Sequence, residues 1–157
     1  MFSLSYTSPD NRLLPKKPNF TLKDAMRETG VDRIIETNGV YADGNGTNHF
    51  GFYRFWADGH VMRRGIAMLS EPTAADCDSF TDCDVGYFRL SGHRLLMELY
   101  VPHDGGAYLM MDGDIEADTI AVKRWWIRDI WPKKVHEAHT IMKRKVFRLP
   151  LTTTPDW

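Results

Sequence analysis

Four arginines have the setting from which binding chemistry can start. Arg54 lies two residues from Phe52 and Trp56, Arg89 two from Tyr87, Arg124 two from Val122 and Trp126, and Arg148 two from Val146. Residues two apart in a β-strand share a face, so each guanidinium stands beside bulky apolar groups. Turned inward, it offers a rigid donor fork to an anionic head group. Turned outward, it stacks on exposed aromatic rings. For Arg124 the inward orientation is expected, because the opposite face would bury Lys123. The candidate ligand-binding residues are therefore Arg54, Trp56, Tyr87, Arg89, Arg124 and Trp126, with Met97 from the apolar lining. A lone buried guanidinium needs a partner. The expected ligand is a small apolar or amphipathic molecule, and an anionic one would satisfy Arg124.

Other reactive types give weaker patterns. Glu98, between Leu96 and Tyr100, suits a buried counter-ion or a general base, but a solvated carboxylate is expected. His136 and His139 fall one residue short of the His-Glu-x-x-His zinc spacing. Asp112, Asp114, Glu116 and Asp118 alternate along one face, as a solvent-facing acidic stripe would; the loop of a dedicated calcium site is absent. Cys77 and Cys83 are too few for a disulfide framework or a structural zinc site. No glycine-rich nucleotide loop occurs. No metal, cofactor or catalytic residue is expected, and the pattern favours a binding protein over an enzyme.

The elements that must carry these residues are strands. Asp84–Ser91, His93–Pro102, Ala107–Glu116 and Thr119–Arg128 are four long apolar and aromatic runs separated by Gly, Asp, Pro or Ser. Ile34–Ala42, Phe50–Trp56 and His60–Ala67 precede them, and Met142–Leu149 follows. Within His93–Pro102, the alternation of Leu95, Met97, Leu99 and Val101 assigns these four inward and Arg94 and Glu98 outward. Asp58-Gly59 is a hairpin signal, and Gly113 marks a bulge or bend. A short helix is expected over Leu22–Thr29, started by Thr21, and another after Thr73 between the third and fourth strands. Residues 1–20 read as an extended arm and 129–140 as a loop. Eight sequential antiparallel strands have an edge problem that closing into a barrel removes. The expected fold is a mainly β, eight-stranded up-and-down barrel over residues 34–149, within one domain of 157 residues.

Parts of this pattern resemble lipocalins and bacterial lipocalin-like (calycin-type) proteins. Gly39-Val40-Tyr41 is similar to the lipocalin Gly-x-Trp, with Tyr for Trp. The hairpin from Phe52 to Val61, Gly86-Tyr87-Phe88-Arg89-Leu90, and Gly113-Asp114-Ile115 leading to Ile120 resemble the same family. The resemblance implies a barrel that can hold a small ligand, and an arginine, here Arg148, capping the first-strand aromatic Tyr41.

The net charge is −1, which gives the whole molecule no electrostatic preference for nucleic acid. The charge is uneven: residues 123–148 hold nine Lys/Arg and two acids. That asymmetry suits a solvated edge or a surface for an anionic partner. No apolar run reaches the length of a membrane span. The first residues lack a signal-peptide pattern, which points to the cytoplasm, or to the periplasm if a leader precedes them. Three functions stay open: ligand binding in the barrel, acid–base catalysis in a polar pocket marked by a carboxylate of raised pKa, or a filled barrel used as an interaction module.

Overall fold

A computed structural model describes residues 5–8, 12–23, 33–44, 50–68, 70–102, 106–116 and 118–157. In chain order the elements are β1 (Ser5–Thr7), β2 (Leu13–Pro15), β3 (Gly39–Gly44), β4 (Phe50–Phe55), β5 (His60–Met68), α1 (Ala74–Cys77), β6 (Cys83–Ser91), β7 (Arg94–Val101), β8 (Ala107–Glu116), β9 (Thr119–Ile127) and β10 (His136–Val146). Strands β3 to β10 pair antiparallel in sequence order and close through β10 and β3 into an eight-stranded barrel. β1 and β2 form a separate two-stranded sheet in the arm that the sequence marked only as extended.

Several expected boundaries move. The first barrel strand begins at Gly39, not Ile34; residues 34–38 turn beneath the barrel instead. The last strand begins at His136, inside the expected loop, because His136-Glu137-Ala138-His139 lacks the apolar alternation that signals a strand. The short helix after Thr73 is present, with Thr73 and Asp76 forming a reciprocal capping box. Most of the expected Leu22–Thr29 helix lies outside the described residues. Thr21 itself donates its hydroxyl to Glu98 Oε1 at 3.1 Å.

The alternation along β7 does what it implies. Leu95, Met97 and Leu99 are fully buried inside the barrel, among Phe55, Val61, Phe88, Leu90, Ile115 and Ile120. Tyr41, Phe55 and Phe88 pack edge to face, with centroid separations of 5.7 and 5.1 Å. Tyr53 on β4 reaches across the lumen, and its hydroxyl donates to Met111 Sδ on β8 at 3.6 Å. β4 and β8 stand four strands apart in the ring of eight, so this contact closes the lumen at its level.

On β9 parity fails as a guide, for one local reason. Asp112 pairs with Arg124 but Gly113 pairs with Val122, so Lys123 is an extra, bulged residue. A Cβ on Gly113 would stand 2.2 Å from the Ala121 carbonyl oxygen, so only glycine permits that approach. Below the bulge Ile120 and Val122 face inward; above it Trp125 and Ile127 do, and Arg124 and Trp126 turn outward. The inward assignment of Arg124 and Trp126 is thereby corrected. Because Met97 is fully buried, Met97→Ala should lower urea unfolding stability by about 2–5 kcal/mol. Ile141→Ala, at a site 61% exposed, should stay within about 0.5 kcal/mol of wild type in the same measurement.

Candidate functional site

The odd-numbered strands of the barrel all run toward one end, where β3, β5, β7 and β9 finish and β4, β6, β8 and β10 begin. The inner wall near that upper end is polar. Tyr53, Arg63 and Asp84 are register neighbours on β4, β5 and β6, on the same face as the inward pairs Phe55–Val61 and Val61–Gly86. Arg63 donates to Asp84 Oδ2 from Nε at 2.9 Å and from its terminal nitrogen at 2.5 Å. Asp43 stands two residues above Tyr41 on β3, one step up from Tyr53. Four adjacent strands thus carry a belt of Asp43, Tyr53, Arg63 and Asp84. The wall opposite is mainly apolar, with Leu109 and Met111 from β8, Trp125 and Ile127 from β9, and Ala138 from β10, and with the His136 ring of β10 stacked on Trp125 at 4.1 Å.

The belt is desolvated but not sealed. The Arg63 and Asp84 side chains keep 21% and 14% of their surface exposed, and they face the interior. The Tyr53 phenol is pushed up by burial, against the pull of nearby Arg63. Burial opposes the Arg63 charge, but Tyr53 and Asp84 outweigh it and hold the guanidinium above its ordinary value. Asp43 is raised by desolvation alone, and its Oδ1 is buried with no hydrogen-bond partner among the described residues. With Asp43 ionised, the belt carries two carboxylates against one guanidinium.

The residues expected to bind ligand fall into three places. Met97 is in the core. Arg54, Trp56 and Tyr87 lie on the outside of the barrel, because Tyr53, Phe55 and Phe88 take the inward positions of their strands. There they clasp the C-terminal segment. Arg54 donates to Thr153 Oγ1 at 2.6 Å, to the Thr153 carbonyl at 3.0 Å and to Asp78 Oδ1 at 2.8 Å. Trp56 donates its indole N–H to the same carbonyl at 3.1 Å, and the Tyr87 hydroxyl donates to the Trp157 carbonyl at 2.9 Å.

Arg89, Arg124 and Trp126 are brought together, but on the outer wall. They line an open groove of about 440 Å³ with Arg94, Leu96, Asp112 and Lys133. Asp112 takes two hydrogen bonds from Arg124 and one from Arg94 at 3.3 Å. Burial pushes the Asp112 carboxyl up, but these guanidiniums outweigh it and hold it below the ordinary range. Arg124, 48% exposed and already paired, is not the buried guanidinium in need of a ligand.

Two further expectations are corrected. Glu98 is fully buried rather than solvated: it pairs with Arg128 and accepts the Leu22 N–H at 2.8 Å. Arg148 is exposed beyond the end of β10; the arginine in register with Tyr41 is Arg144, which pairs with Asp118 at 2.8 Å. The Tyr41 hydroxyl accepts instead from the Glu36 N–H at 3.0 Å. Cys77 and Cys83 are free thiols, both pushed up to about 12 by burial. Among the described residues no cluster of His, Cys, Asp or Glu is suited to a metal ion, and no helix is long and apolar enough to cross a membrane.

Sequence reasoning missed Asp43, Arg63 and Asp84. A signal existed for Asp84, since Phe88 and Leu90 share its parity and are more apolar than Tyr87 and Arg89. Arg63 had none, because both faces of β5 mix arginine with apolar residues. Geometry thus defines a closed eight-stranded antiparallel barrel, compatible with a lipocalin-like fold, with a polar belt at one end. No family model, curated protein or solved structure matches the chain.

The clasp makes a pH prediction. Partial burial pushes the Asp78 carboxyl up, but hydrogen bonds from Thr153 and Thr152 outweigh it and hold it well below the ordinary range. A carboxyl depressed by folding stabilises the fold above its unfolded pKa, and the benefit fades as pH falls toward the folded value. Thermal unfolding should therefore show wild type losing stability from about pH 5 downward, with Asp78→Asn less stable at pH 7 and flatter over the acidic limb.

Proposed function

We propose that the protein binds a small amphipathic molecule in the upper part of its barrel, as a lipocalin-like carrier. The observation that carries this reading is the belt of Asp43, Tyr53, Arg63 and Asp84 facing an apolar wall above the Tyr53–Met111 floor. A few placed polar groups beside apolar surface are the usual make-up of a small-molecule site. Arg63 has its charge met by Asp84, while Asp43 Oδ1 has no partner among the described residues. An anionic head group would meet excess negative charge there. The ligand that fits has a cationic or hydrogen-bond-donating head for Asp43 and an apolar body for Leu109, Met111 and Trp125. A charged donor gains most from a desolvated carboxylate.

Acid–base catalysis is the second reading, and the raised pKa of Asp43 is what favours it. Arg63 and Asp84 already satisfy each other, which suits a preformed binding wall better than a proton relay.

The test is a titration of dodecylamine, dodecanol and dodecanoate, each below its micelle-forming concentration, followed by tryptophan fluorescence. The amine should bind at least about tenfold more tightly than the acid, and Asp43→Asn should abolish that preference. Because burial raises the Asp43 pKa, amine binding should fade on acidification at a higher pH than an ordinary aspartate would give. Tightest binding of dodecanoate, or no binding of any of the three, would overturn the reading.

A further inference from the structure

Among the described residues, the chain clothes one side of the barrel's outer wall and leaves the other uncovered. Leu14 from β2, Cys77 of α1 and Phe80 after it, and the C-terminal Leu151 and Trp157 cover Val40, Phe52, Met62 and Val85 of β3–β6. Phe20 and Leu22 cover Tyr87 and Met110 of β6 and β8. Beyond them, the large hydrophobics that stand exposed among the described residues are Ile130, Trp131 and Val135 of the loop 128–135, Ile141 on the outer face of β10, and Val146 and Leu149 at its lower end. The positive charge is on the same side: residues 123–148 carry nine Lys/Arg against two acids. Two grooves meet there, of about 440 and 600 Å³, both lined by Arg94, Asp112 and Arg124.

We infer that this face of β9 and β10, with the first of the two grooves, docks an acidic, apolar-bearing segment of a partner protein. Charge selects the sign of the partner. Arg89, Arg94, Arg124 and Lys133 face Asp112 alone in the first groove, which leaves it positive. The apolar residues supply the anchors, since Trp and Arg dominate the energetics of protein interfaces. Trp131, 90% exposed, is the largest of them. The basic groups line a recessed groove, which a side-chain-bearing segment can enter and a flat bilayer surface does not fill. Nucleic acid fits poorly as well. The second groove sets Asp112, Asp114 and Glu137 against Arg94, Lys123 and Arg124 and so draws no polyanion, and the Trp126 ring that could stack a base in the first is already covered by Lys133 at 4.1 Å.

The experiment uses a fluorescein-labelled twelve-residue peptide of alternating Glu and Leu, its Gln-for-Glu counterpart, a labelled dT twelve-mer, and vesicles of phosphatidylcholine and phosphatidylglycerol. Anisotropy for the three labelled probes and vesicle co-sedimentation report binding by the full chain. The Glu peptide should bind in the micromolar range at low salt, at least about tenfold more tightly than the Gln peptide. Arg94→Glu and Ile141→Glu should each weaken it about tenfold or more, with melting temperature kept. Both positions are exposed, at 65% and 61%, and if one variant fails to fold the other carries the comparison. No binding of the Glu peptide, equal binding of the Gln peptide, tighter retention of dT or vesicles, or folded variants that bind like wild type would overturn the proposal. So would a stable dimer by light scattering that Ile141→Glu dissociates, since the face would then belong to a second copy.

Discussion

The seam where β10 pairs with β3 is the constraint on which the rest depends. Lys143 to Val146 lie in register with Ala42 to Gly39, and this ladder turns an open eight-stranded meander into a ring without edges. The approach is close: a Cβ at Gly39 would stand 2.4 Å from the Lys145 carbonyl oxygen. Once the ring is shut, its inside has a fixed volume. Tyr41, Phe55, Phe88, Met97 and Leu99 fill the middle and lower part, and Glu36, Asp118 and Arg144 tie off the lower end beside the seam. Polar groups are tolerated inside only toward the upper end, where Arg63 and Asp84 still touch solvent.

Closure also sets how the arginines divide their labour. A guanidinium on the outside of a barrel can either join the chain's own coverings or stay available. Arg54 and Arg128 join: one holds Asp78 and Thr153, the other Glu98 and the Asn19 carbonyl, so each ties a segment remote in sequence to the wall. Glu98 and Arg54 are almost wholly buried, and such charges need an opposite charge and hydrogen-bond partners beside them. Arg89, Arg94 and Arg124 stay at the surface, where none of the described covering segments packs on them. Arg63 points inward at the upper end, and its neighbour Asp84 meets it on the next strand.

The two distinctive surfaces are therefore consequences of one economy of material. The arm, α1 and the C-terminal segment send their apolar residues to β3–β8. What remains on β9 and β10 keeps its exposed hydrophobics and its basic charge. Inside, the aromatic filling stops at the Tyr53–Met111 contact, and the belt begins on the same residue, Tyr53. One side chain thus serves as the roof of the core and the floor of the polar region.

How much of this was legible in the sequence follows from the range of the forces involved. Alternation along a strand is local, so the inward set on β7, the Asp-Gly hairpin and the Thr73 capping box were determined by adjacent residues and stand in the structure as expected. The count of strands and the need to close them followed from the same patterns. Parity broke at Lys123, because a bulge depends on what the neighbouring strand does: Gly113 of β8 admits the Ala121 carbonyl, and the extra residue flips Arg124 and Trp126 outward. On β4 and β6 both faces are apolar, and which face turned inward was decided by the coverings that buried the other one. The sequence by itself determined the strands and their order. Tertiary structure decided the face of each arginine, the burial of Glu98 and the meeting of Asp43, Tyr53, Arg63 and Asp84, because those depend on residues tens of positions apart brought into register by closure.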